Sequence, residues 1–155
     1  MIDFKIANLD SLKASEIFLI YAKPVLDHLP DGVNIKRARQ MCLFCEMVWN
    51  ATAMEQWPTT GNVKPVAMIR NSLKSHSDLE PSRQWMDTLL KRKSQLFPKA
   101  QWAFEISVRE ERSGDDFPWK VRAGVRILPE LEHLLPARWR KNSKSMQIAE
   151  SKHNE

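Results

Sequence analysis

Four small groups of side chains in this chain have residue types that can do chemistry, and their spacing decides what each could do. Cys42 and Cys45 stand three apart, the CxxC spacing that serves zinc or thiol redox exchange. A structural zinc site takes four ligands, and the chain has no second CxxC or HxxxH; its histidines, His28, His76, His133 and His153, are isolated. The pair also falls inside an apolar helical stretch rather than at a helix N-terminus, so packing as small hydrophobes is the expected role. Glu46 and Asn50 lie one helical turn apart among apolar neighbours. Burial would raise the Glu46 carboxyl and make it an acid or base, whereas a narrow wet edge of the helix, or an ion pair with another helix, is the plainer account. Ser72, Ser75, His76 and Asp78 hold the residue types of a hydrolase triad, but triads draw on distant segments, and no GxSxG elbow exists to present the serine. A polar loop that caps the next helix explains the same residues. Asp115 and Asp116 sit in a turn, where acids are ordinary. The four glycines, Gly32, Gly61, Gly114 and Gly124, cannot spell a phosphate loop or a dinucleotide fingerprint. No catalytic residue, metal ligand or cofactor is therefore assigned.

One set outlives the comparison. The chain carries a formal net charge of +5, and its first ninety residues hold ten cations against ten acids. From Lys91 to Lys144 there are thirteen cations against seven acids. The whole surplus belongs to the second half, an asymmetry that speaks of partners and not of fold. Within it, Arg109, Lys120, Arg122 and Arg126 alternate with apolar residues, and Arg138, Trp139, Arg140 and Lys141 combine cations with an indole. Such residues suit contacts to phosphates and, through Trp139, stacking on a base. Lys91, Arg92 and Lys93 end a helix, where positive charge also suits the dipole.

Those cations must be placed by a hairpin. Trp102, Phe104, Ile106 and Val108 alternate with polar residues, and beyond a polar break containing Gly114 so do Trp119, Val121, Ala123, Val125 and Ile127. Period two on both sides of a turn, from Gln101 to Leu128, predicts two antiparallel strands with one buried face. The opposite face then carries Glu105, Ser107, Arg109, Lys120, Arg122 and Arg126. Ile2, Phe4 and Ile6 alternate in the same way and offer a short third strand.

The remaining chain reads as helices. A first one is expected from Asp10 or Ser11 to about Leu29, although Ile17 to Ala22 is rich in strand formers and Pro24 follows closely, so a strand ending there is the alternative. Asn34 caps a long helix running to Trp57-Pro58, in which Ala38, Met41, Cys42, Cys45, Val48, Trp49 and Thr52 share a stripe widened by Phe44, Met47, Ala51 and Met54. Its first turn holds Lys36, Arg37 and Arg39, the wrong sign for the helix dipole. A loop from Trp57 to Val63 precedes a short helix from Pro65 to about Lys74, and Pro81 opens another that Pro98 ends, with Trp85, Met86, Leu89, Leu90, Leu96 and Phe97 inward. Pro129 starts a last short helix, and the chain from Asn142 is polar.

The expected architecture is a single, mostly helical α+β domain over residues 1–141, with a C-terminal antiparallel hairpin and a polar tail over 142–155. Without a signal-peptide pattern or a long apolar run, the expected setting is cytoplasmic, away from membranes. The leading functional expectation is a non-enzymatic domain that contacts nucleic acid through the basic hairpin and the Arg138–Lys141 segment. A protein-interaction or regulatory subunit, homodimeric or otherwise, would instead use exposed tryptophans and the hairpin edge. A small enzyme built on Glu46 and a histidine is the third reading.

Overall fold

The computed structural model describes residues 12–29, 34–74, 80–109, 120–136 and 139. In chain order these form α1 (Ala14–Leu26), α2 (Ile35–Glu55), α3 (Pro65–Lys74), α4 (Glu80–Leu96), β1 (Ala103–Arg109) and β2 (Lys120–Arg126). Two 3-10 turns, Pro58–Thr60 and Pro129–Leu134, complete the pattern. The domain is α+β, with helices preceding an antiparallel hairpin. The expected strand at Ile2–Ile6 lies outside the described residues.

The segment Ile17–Ala22 is helical, and α1 continues through Pro24 to Leu26. Proline has no N–H, so the helix loses the bond that position 24 would donate to the Ile20 carbonyl. Arg92 on α4 supplies the missing donor, its Nε reaching that carbonyl at 2.8 Å. The strand-forming residues of α1 are tolerated because Ile17, Phe18, Tyr21, Ala22, Val25 and Leu26 are all buried, and packing outweighs the few tenths of a kcal/mol of helix propensity at stake (~0.5 per residue).

Helix α2 begins as its sequence dictates: Asn34 Oδ1 accepts the Arg37 backbone N–H at 2.9 Å, satisfying one of the helix's open donors. At the other end Glu55 Oε1 accepts the Val66 backbone N–H at 3.1 Å, so α2 caps the first turn of α3. Trp49 is the centre of the core. Its ring lies 4.9 Å from Tyr21, 4.7 Å from Phe104, 5.6 Å from Phe97 and 5.7 Å from Trp102, which joins α1, α2, the end of α4 and β1 around one side chain.

The hairpin pairs Phe104 with Val125, Ile106 with Ala123 and Val108 with Val121 on its inner face. Ser107 opposes Arg122 and Arg109 opposes Lys120 on the outer face. Burial alternates along β2 and, from Phe104 onward, along β1, as the sequence pattern predicts.

Candidate anion-binding surface

A two-stranded sheet has two edges, and the edge of β1 away from β2 would leave its backbone groups without partners. Helix α2 runs antiparallel to that edge and closes it with side chains. Arg39 Nε donates to the Val108 carbonyl at 3.1 Å. Asn50 makes a matched pair with Phe104, its Nδ2 donating to the carbonyl at 2.9 Å and its Oδ1 accepting the backbone N–H at 2.7 Å. Trp49 Nε1 donates to the Trp102 carbonyl at 2.7 Å, and Trp57, just past the helix, does the same to Gln101 at 2.6 Å. A carboxamide has the donor and acceptor of a peptide unit, so Asn50 stands in for a residue of a third strand.

Glu46 belongs to the same seam. Burial raises its carboxyl above the ordinary range, the Ile106 backbone N–H draws it back by favouring the charged form, and the nearby Glu105 charge raises it again. Its Oε2 is buried with no hydrogen-bond partner among the described residues. Glu46 and Asn50 are thus explained by the strand edge they face. His28, at the far end of α1, has its Nδ1 2.7 Å from the Pro24 carbonyl and its ring 6.2 Å from Trp85, so it is occupied elsewhere. His76 lies outside the described residues.

The cysteines are packing residues. Both are free and fully buried. Burial, with a smaller contribution from the Glu46 charge, pushes the Cys42 thiol up to about 12, and burial and Cys42 push Cys45 up further. A thiol held protonated in this way is a poor nucleophile, and no group of three or more His, Cys, Asp or Glu side chains that could hold a metal ion occurs among the described residues.

The closed seam leaves one face of the hairpin outward, and there Arg109, Lys120, Arg122 and Arg126 are all exposed. Glu105 is the one acid of that face among the described residues and forms an ion pair with Arg126. Arg109 and Lys120 oppose each other directly, with Arg122 on the diagonal ~7 Å away. The Arg39 bond to Val108 sets the first turn of α2, with exposed Lys36 and Arg37, at this same end of the sheet. The sequence marked those helical cations as oddly placed; their meeting with the hairpin required the tertiary register.

Trp139 is a correction. Expected to stack on a base, it is 8 % exposed, its ring lies 5.0 Å from Trp102 in an edge-to-face contact, and its Nε1 donates to the Leu12 carbonyl at 3.1 Å. An indole packed in the core, with its N–H already bonded there, has no free face to stack on a base. Trp102 is likewise buried and Trp57 half-buried, so these tryptophans do not furnish the exposed interface expected of a regulatory subunit. Trp119, Arg138, Arg140 and Lys141 lie outside the described residues.

Lys93 is the polar residue that sequence reasoning missed. Read only as one of the cations that end the helix, it is 4 % exposed, with Nζ 3.0 Å from the Ala100 carbonyl and 4.9 Å from the centre of a Trp49 ring. Burial without a carboxylate lowers it to about 8. The only sequence signal was its place on the same stripe as Met86, Leu89 and Leu90.

No helix among the described residues is long and apolar enough to cross a membrane. Compared with protein families, curated proteins and solved structures, the chain matches none of them.

Proposed function

We propose that this is a small, non-enzymatic binding domain that holds the phosphate backbone of nucleic acid on the outer face of its hairpin. The observation that carries this reading is the diagonal placement of Arg109 and Arg122 on one exposed hairpin face, where the one described acid, Glu105, is taken by Arg126. A row of cations that repel one another gains from an anion laid across it, and phosphates at regular intervals match a row of strand residues. No aromatic side chain shares that face among the described residues, so the contact reads charge and shape and is indifferent to base sequence.

Fluorescence anisotropy with short DNA and RNA at low and moderate salt tests it. The expected result is binding at low salt that weakens steeply as salt rises and is lost in the double reversal Arg109→Glu/Arg122→Glu. Arg126→Glu should matter less, because its charge is already offset by Glu105. Absence of binding at low salt, or binding that survives the double reversal, would remove this reading.

A further inference from the structure

Helix α2 keeps a second surface that neither the core nor a phosphate contact explains. Leu43, Met47 and Met54 are 56 %, 44 % and 39 % exposed. At spacings of four and eleven residues they fall on one side of the helix, a stripe about 16 Å long at 1.5 Å per residue. Seven residues before Leu43, and so on the same side, stands exposed Lys36, followed by exposed Arg37. Neither has an ion-pair partner among the described residues, and cations in a first helical turn oppose the helix dipole. Asn50, seven residues after Leu43, falls on the same side between Met47 and Met54, but its carboxamide is bonded to the β1 edge, and Glu46 faces that edge from the adjoining flank.

We infer that this face of α2 docks an amphipathic helix of a partner protein, apolar along the stripe and acidic where it meets Lys36 and Arg37. Unbranched methionines adapt to an incoming helix, whose anchors recur at i, i+3, i+4 and i+7 along one face. Charge complementarity selects the partner. An antiparallel helix brings its negative C-terminal end, with acids in its last turn, to the cationic start of α2. A second copy of this chain, laid antiparallel over the same stripe, would bring only Glu55 to that end, and Glu55 is already bound to the α3 N-terminus. An acidic partner helix therefore fits where a twin does not.

The test uses the full chain and two synthetic helical peptides of eighteen residues, both with leucines at i, i+4 and i+11. One carries glutamates in its last turn and the other lysines there. Anisotropy should show the acidic peptide binding at least tenfold tighter than the basic one. Leu43→Ser/Met47→Ser should weaken it tenfold or more, and Lys36→Glu/Arg37→Glu should reverse the preference. Circular dichroism and nucleic-acid binding of the serine variant should match the parent, which keeps this test separate from that of the hairpin. Equal binding of the two peptides, or no binding of either, overturns the proposal. So does a salt-insensitive dimer in sedimentation that the serine variant abolishes, or adsorption to phosphatidylglycerol vesicles that depends on Leu43 and Met47 in place of peptide binding.

Discussion

Asn50 does with one side chain what a neighbouring strand would do with a peptide unit. Removing it leaves the Phe104 N–H and C=O both unpaired in a closely packed seam. Asn50→Ala should therefore cost about 2–4 kcal/mol, the sum of two lost bonds and their desolvation, measured by urea unfolding with an unchanged slope. Lys93 and the thiols set the response to pH. A lysine near 8 when folded and 10.5 when unfolded destabilises the native state below pH 8, and the penalty is relieved as pH climbs toward 10.5. Cys42 moves the other way, from 9.0 to about 12. The unfolded thiol ionises first, so native stability falls above pH 9, and Cys45 adds to that fall. Between pH 8 and 9 Lys93 contributes a rise of about 1 kcal/mol, near the one-proton slope of about 1.36 kcal/mol per unit. The two thiols largely offset it, so net stability rises by only a few tenths of a kcal/mol and declines beyond. Denaturant midpoints across that range in Lys93→Met should lack the rise, and those in Cys42→Ala should show a shallower decline.

Among the elements, α1 carries a dependence that its own sequence does not announce. Pro24 frees the Ile20 carbonyl, and Arg92, seventy-two positions away, takes it. In Pro24→Ala the helix would supply its own N–H, so Arg92→Leu should destabilise that background less than the parent. A double-mutant cycle should give a coupling of about 1 kcal/mol, and additive effects would show that the arginine serves something else. The contrast marks how far the elements were legible. The long stripe of α2 and the alternation of Phe104 to Val108 and Val121 to Val125 are periodicities written locally, and they predict the helix and the hairpin. Ile17–Ala22 reads as helix with strand as the alternative, because local propensity favours strand, while the deciding terms are burial against Trp49 and Phe104 and a donor on α4. Glu46 and Asn50 read as catalytic candidates or a wet stripe for the same reason: the strand edge that explains them is more than fifty residues away. Trp139 and Lys93 were misplaced because residue type favours the surface for Arg-flanked tryptophan and for lysine, and only the packed core shows their burial.

At the scale of the molecule, the fold sorts its polar side chains by task. Those on one flank of α2 close β1, those on the outer hairpin face stay exposed, and the first turn of α2 joins the two at the Val108 end. If that surface holds phosphates, affinity should fall linearly with the logarithm of salt. The slope should be about −3 on duplex DNA for three to four contacts, close to 0.9 per phosphate. The most direct measurement is this slope in the parent and in Arg109→Gln/Arg122→Gln. The account predicts that the double variant binds more weakly and loses about two from the slope. A slope unchanged by losing both arginines would contradict it.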